Sequence, residues 1–143
     1  MVTYGLVSGI TISNTGGLVS VLTTSSLSSG VWLLTYQASL YSASTFTISN
    51  FQTFLANSPT SATTIVTDNN GNSLTNIGKV TSGTQTLTGF NVVAQQSASC
   101  IVTLTSSTTI SLWFNVTANN AVKASGNDTS AGQQTYIQTM RIG

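Results

Sequence analysis

The chain has 143 residues, a mass of 14.8 kDa and a net charge of +1, and we treat residues 1–143 as a single domain because this is an ordinary domain length. Charged residues make up only 3% of the chain, against roughly 25% in an average globular protein, and there is no histidine and a single cysteine. Nucleic-acid binding needs cations for the phosphates, metal sites need His, Cys or carboxylates, and most catalytic proton transfer needs His, Asp or Glu. We therefore predict a protein that binds no nucleic acid, holds no metal or cofactor and is not an enzyme.

Apolar and polar residues alternate with a period of two along most of the chain, and this pattern predicts β-strands throughout. In chain order the predicted strands cover residues 17–23, 31–41, 46–54 with a bend near 49–50, 62–68, 89–98, 99–105, 109–117, 121–123 and 135–142. Turn-forming residues separate them, and many short strands at this spacing indicate a sandwich, a barrel or a jelly roll. The longest unbroken apolar run is the four residues from Val31 to Leu34, so we expect no membrane insertion.

Apolar residues also occupy positions beyond those that a single core would use. The strand 31–41 has one fully apolar face, and its other face still carries Val31 and Leu33; a strand apolar on both sides is normally covered on both sides. Trp113 lies on the Ser/Thr face of its strand, where another subunit, the same chain or a bound ligand would each shield the indole from water. We favour contact between subunits, and we assign to that interface Trp113, Tyr136, Met140, Val31 and Leu33.

Two segments carry a resemblance to a known superfamily. Gly30-Val-Trp-Leu-Leu-Thr-Tyr36 resembles the Gly-x-aromatic strand of the tumour necrosis factor-like and complement-globular-head-like jelly rolls. Tyr136-Ile-Gln-Thr-Met-Arg-Ile142 is similar to their closing strand, most of all in members carried by viruses, phages and bacterial surfaces.

The resemblance implies an all-β fold: a two-sheet antiparallel jelly-roll sandwich of about ten strands, assembled as a homotrimer. One sheet of that superfamily faces the trimer axis, and the resemblance places in it Trp32, Tyr36, Trp113 and Tyr136. The chain lacks the acidic calcium ligands and the disulfide of many cellular members, so the cytokine and complement roles are not carried over.

These observations predict a non-enzymatic structural surface protein, a trimeric head, spike or decoration protein on the surface of a virus or phage particle. It would act by self-association and by contacts with other virion or surface proteins. The alternative is a receptor- or glycan-binding module on the same fold, used in viral attachment or on a bacterial cell or spore surface. Its polar contacts would come from two loops, through Asp68, Asn69, Asn70, Asn72, Asn127 and Asp128.

Two further residues have a structural and a functional interpretation. Cys100 alternates with Val102 and Leu104, so we predict a small buried hydrophobe in preference to a reactive thiol. Arg141 is the only arginine, and we predict that it pairs with a terminal carboxylate, an Asp or a carbonyl at the subunit boundary, in preference to an anionic ligand.

Overall fold

The computed structural model describes residues 1–57, 77–128 and 133–143, and within these ranges every regular element is a β-strand. The strands are β1 (Val2–Gly5), β2 (Ile10–Ile12), β3 (Thr15–Thr23), β4 (Gly30–Ser42), β5 (Phe46–Ala56), β6 (Ile77–Ser82), β7 (Gln85–Leu87), β8 (Val92–Leu104), β9 (Ser111–Ala118), β10 (Val122–Ala124) and β11 (Tyr136–Arg141). No helix in the described part of the chain is long and apolar enough to cross a bilayer.

The strands form two antiparallel sheets. In sheet A, β4 pairs with β8 along its full length on one side and with β11 and β10 on the other, and these two pair in turn with β1 and β2. In sheet B the order is β3-β9-β5, and β6 and β7 both pair with the free side of β5. The chain is therefore all-β, in two sheets, as the period-two pattern predicts.

Several short strands lie end to end, so the described strands form eight rows. Three pairs of strands each make one interrupted row: β1 with β2, β6 with β7, and β10 with β11. In each pair the two strands pair with successive parts of the same neighbouring row. Numbered along the chain, the rows lie in the spatial order 1-8-3-6 in sheet A and 2-7-4-5 in sheet B.

The core lies between the two sheets. Alternation along β4 turns Leu34, Tyr36, Ala38 and Leu40 inward, and all four are fully buried. Sheet B supplies large side chains from β5 and β9, and the rings of Phe51 and Phe114 lie with their centroids 5.6 Å apart.

A buried polar cluster links the sheets inside this core. The hydroxyl of Tyr36 donates to the carbonyl oxygen of Gly78 at 2.6 Å and lies 2.9 Å from the hydroxyl of Thr53. Gln96 accepts from Thr53 Oγ1 at 2.8 Å, and its amide donates to the carbonyl oxygen of Phe51 at 2.8 Å. Burial raises the pKa of Tyr36 to about 12, so this hydroxyl keeps its proton at neutral pH.

Most predicted strands in the described ranges are confirmed, with boundary shifts of one or two residues. The bend near residues 49–50 is confirmed as a register shift between Ile48 and Asn50 in the pairing of β5 with β9. The division of residues 89–105 into two strands was wrong: β8 is continuous, because it pairs with every residue of β4. The strand at 62–68 and the loop residues Asp68, Asn69, Asn70 and Asn72 lie outside the described residues.

Candidate functional site

The candidate site is the outer face of sheet A, the side turned away from the core. On β4 it consists of the residues that alternate with the buried set, namely Val31, Leu33, Thr35, Gln37, Ser39 and Tyr41. Residues directly opposite each other in an antiparallel pair lie on the same side of the sheet, so the register extends this face across β8 and β11.

An apolar row crosses this face. Leu33 stands opposite Ile101 of β8 on one side and opposite Met140 of β11 on the other. Ile101 is 46% exposed and Met140 is 38% exposed, and half-buried Val31 is two residues from Leu33 on β4. Neighbouring exposed apolar side chains on a sheet that already has a core are typical of a contact surface. Ile101 was missed by the sequence analysis, because it is out of phase with the alternating row of Cys100, Val102 and Leu104.

The polar groups beside the apolar row bond mainly to one another. Thr35 Oγ1 and Ser99 Oγ lie 2.9 Å apart, and the side-chain amide of Gln138 donates to Thr3 Oγ1 at 3.3 Å. The amide of Gln37 donates to the carbonyl oxygen of Gln134 at 3.1 Å. Because these groups already have partners inside the chain, covering them would strip away less hydration than covering free polar groups.

Tyr136 is half-buried on the same face, opposite Gln37, four residues along β11 from Met140. The outer face of sheet A therefore holds four of the five residues that the sequence analysis assigned to an interface, namely Val31, Leu33, Tyr136 and Met140. The structure brings them together through pairing between strands that are about one hundred residues apart in sequence.

The placement of Trp113 in the same sheet as Tyr136 was wrong. Trp113 belongs to β9 of sheet B, where it stands opposite Phe54, and the two form a small cluster with Ala56. The side chain of Trp113 is only 6% exposed within a single chain. The same chain therefore shields the indole from water, which was one of the three alternatives that the sequence left open. Alternation along a strand indicates the face of a residue but not the sheet that the strand joins, so the sequence left this point open.

The other two aromatics from the resemblance do lie in sheet A, but they serve the core. Tyr36 is fully buried in the polar cluster described above. Trp32 is packed partly against the core, and its indole N–H donates to the carbonyl oxygen of Ser28 at 2.9 Å.

The described part of the predicted polar loops has a structural role. Asn127 and Asp128 are exposed, and Asp128 Oδ1 accepts a hydrogen bond from the backbone N–H of Gly9 at 2.8 Å. The backbone N–H of Asn127 donates to the carbonyl oxygen of Leu6 at 2.9 Å. These bonds attach the loop after β10 to the segment that joins β1 and β2.

Cys100 and Arg141 have the structural roles that the sequence favours. Cys100 packs against the core, and burial raises the pKa of its thiol to about 11, so it is held as the unreactive thiol form. Arg141 donates from Nε to the carbonyl oxygen of Gly143 and from Nη2 to the carbonyl oxygen of Ser29, both at 3.1 Å. The pairing of Arg141 with main-chain oxygens is confirmed, and its place at a subunit boundary stays a prediction.

In comparisons with known proteins, the sequence matches no protein-family model and no curated protein. Among the described residues there is also no group of three or more His, Cys, Asp or Glu side chains placed to hold a metal ion.

Proposed function

We propose that this chain is a non-enzymatic structural protein with a jelly-roll fold, which assembles as a homotrimer through the outer face of sheet A. The fold proposal is supported by the order of the rows, 1-8-3-6 in one sheet and 2-7-4-5 in the other. An eight-stranded jelly roll consists of two Greek keys wound into two facing sheets, and it requires this alternation of rows between the sheets.

The observation that carries the assembly proposal is the apolar row formed by Ile101, Leu33 and Met140. A sandwich exposed to water on both sides normally has polar residues on its outer faces. Burying this row in a contact would stabilise the assembly, because apolar surface removed from water contributes about 25 cal/mol per Å². Three-fold symmetry comes from the superfamily resemblance, in which the sheet of the first and last strands faces the axis.

The low charge of the chain suits self-association. Identical protomers that meet around an axis bring identical charges together, and a face with few charges avoids that repulsion. Lys123 stands opposite Tyr41, eight residues along β4 from Leu33, and so lies well away from the apolar row. The assembly should therefore be insensitive to salt, because screening acts on exposed charges and not on apolar contacts.

The role that fits these properties is a head, spike or decoration protein at the surface of a virus or phage particle. Such a protein needs a stable trimer and a neutral surface. In this chain 48 of the 143 residues are Ser or Thr, whose hydroxyls can make surface contacts through hydrogen bonds. The alternative, a receptor- or glycan-binding module, is favoured by a different observation, a cavity at one end of sheet A that is described below.

The assembly proposal is tested by the mass of the purified protein in solution, measured by light scattering after size exclusion at micromolar and nanomolar concentrations. Three times 14.8 kDa is about 44 kDa, which is the expected mass. We expect Ile101→Lys to give monomers, because it places one cation per protomer in the row.

A matched control is available on sheet B. Leu18 is 48% exposed, close to the exposure of Ile101, but it stands opposite Asn115 on the other sheet. Leu18→Lys should therefore keep the native mass. A native mass of 15 kDa at micromolar concentration, or a trimer that survives Ile101→Lys, would contradict the assembly proposal.

A further inference from the structure

A cavity of about 290 Å³ lies at the end of sheet A where β4 meets β10. Its walls are Thr11, Tyr41, Ser42, Ala43, Ala121, Val122 and Lys123. Lys123 stands directly between Tyr41 and Thr11 in the pairing of β4, β10 and β2. The volume is near the lower end of the range for ligand pockets, roughly 300–1,000 Å³, which suits a ligand with a single ring.

An exposed aromatic residue is held beside this cavity. Phe90 is 89% exposed in the loop between β7 and β8. The next residue, Asn91, donates its backbone N–H to the carbonyl oxygen of Ala43 at 3.2 Å, and its Oδ1 accepts from the hydroxyl of Tyr41 at 2.9 Å. The loop is therefore bonded to two residues of the cavity wall.

The backbone on both sides of Phe90 is in the left-handed region. Gly89 has φ of 124° and Asn91 has φ of 53°, and glycine and asparagine are residue types that adopt positive φ readily. The backbone N–H of Gly89 also donates to Thr45 Oγ1 at 3.0 Å. Three hydrogen bonds therefore fix this loop, and its one large apolar side chain stays in water, where a ligand can reach it.

The charge of the cavity selects an anion. Lys123 is exposed, and it forms no ion pair among the described residues. Asp128 is the only acidic side chain in the described ranges, and it bonds to Gly9 and does not line the cavity. A carboxylate brought into the cavity would meet the ammonium group with no competing anion from these residues.

Hydrogen-bond donors at the rim define the ligand further. Asn91 uses its Oδ1 to accept from Tyr41, which leaves its side-chain NH₂ available, and the hydroxyl of Thr11 is exposed. A fatty acid would satisfy Lys123 and the apolar wall but would leave these polar groups unpaired. A sugar ring offers hydroxyls for them and an apolar C–H face for an aromatic side chain.

We propose that this cavity binds an acidic sugar unit of a glycan. Its carboxylate pairs with Lys123, its hydroxyls bond to Thr11 and Asn91, and its C–H face packs on Phe90. Tyr41 is eight residues from Leu33 along β4, roughly 26 Å at 3.3 Å per residue, so the site is separate from the apolar row that carries the assembly proposal. Binding therefore goes beyond the proposed structural function and does not depend on it.

The test compares two probes that differ only at C6, methyl β-D-glucuronide with a carboxylate there and methyl β-D-glucoside with a hydroxymethyl group. Binding to the full chain is measured by NMR titration. The methyl glycoside of N-acetylneuraminic acid is a second acidic probe, and hexanoate is an aliphatic one. We expect millimolar binding of at least one acidic sugar, about tenfold tighter than the glucoside, since one charged hydrogen bond is of this size.

Three variants locate the site. Lys123→Gln should abolish the advantage of the acidic sugar, Lys79→Gln on β6 should leave it unchanged, and Phe90→Ser should weaken the binding of both sugars. Light scattering and thermal unfolding check that each variant keeps the native mass and fold. The proposal fails if no acidic sugar binds at millimolar concentration, if the glucoside binds as tightly, if Lys123→Gln has no effect, or if only hexanoate binds.

Discussion

Removal of the Tyr36 hydroxyl tests whether the buried polar cluster holds the two sheets together. Tyr36 comes from β4 of sheet A, and its hydroxyl donates to Gly78 of β6 in sheet B at 2.6 Å. Gly78 lies at a register shift in the pairing of β5 with β6 and has φ of 62°, and its carbonyl is turned toward the tyrosine. Tyr36→Phe keeps the ring in the core and removes only the oxygen atom.

The expected loss is about 2 kcal/mol in the free energy of unfolding. A neutral hydrogen bond contributes about 1 kcal/mol, and a buried acceptor left without its partner costs about 1–3 kcal/mol. The carbonyl oxygen of Gly78 would lose the 2.6 Å bond, and the Thr53 hydroxyl would lose a neighbour at 2.9 Å. Because Thr53 still donates to Gln96, the loss should stay at the middle of this range.

The assay is denaturant unfolding at one fixed protein concentration, because dissociation of an oligomer makes stability depend on concentration. Tyr41→Phe is the matched control: it removes one hydroxyl, which donates to Asn91 at 2.9 Å in a solvent-exposed hydrogen bond. We expect it to change the stability by less than about 0.5 kcal/mol. Equal losses for both variants, or a loss below about 0.5 kcal/mol for Tyr36→Phe, would refute the reasoning.

Three other perturbations have defined outcomes. Thr139→Val should raise the free energy of unfolding by up to about 1 kcal/mol in denaturant titrations, because the buried Thr139 Oγ1 has no hydrogen-bond partner among the described residues. A loss of stability in this near-isosteric variant would show that the hydroxyl is bonded. Gly78→Ala should lower the free energy of unfolding by about 1–2 kcal/mol, since Gly78 has a left-handed φ and an added Cβ would lie 3.3 Å from the Tyr36 ring. An unchanged midpoint of denaturant unfolding would contradict this. Stability should fall as pH rises from 9 to 12. The folded-state pKa values of Tyr36 (about 12) and Cys100 (about 11) lie above their ordinary values of 10.0 and 9.0. The unfolded chain therefore releases these two protons at lower pH than the folded chain, which favours unfolding. Stability measured against pH should therefore fall less steeply in Tyr36→Phe and Cys100→Ala, and a slope equal to that of the native chain in both variants would exclude these two groups.

The strands could be predicted because their signals are local. The alternation along β4, β9 and β11 needs only the neighbouring residues, and the bend in β5 is marked by two polar residues between apolar ones. The short strands β1, β2, β6 and β7 escaped prediction, since three to six residues are too few for a period to stand out and since pairing with a longer neighbour defines them.

The candidate site was predictable only in part. Four of its residues could be identified from the sequence. Val31 and Leu33 are apolar on the face of their strand that lies opposite the core face, and Tyr136 and Met140 are apolar residues on the last strand. Ile101 completes their row, yet it is one apolar residue in the polar phase of β8, and only its place opposite Leu33 gives it a role. The cavity combines residues from β2, β4 and β10, and the loop before β8 is bonded to its wall; no local pattern relates these segments.

The sequence by itself determined the class of the fold, the inward phase of the main strands and the near absence of charge. These depend on composition and on the two-residue period of an extended chain, both of which are properties of short segments. Tertiary structure alone decided which strands share a sheet. That choice placed Trp113 in sheet B with Phe54, aligned Ile101 with Leu33 and Met140, and set Lys123 between Tyr41 and Thr11. The physical reason is that the partner of a strand depends on pairing and packing between distant segments, where many alternative partners have the same alternation.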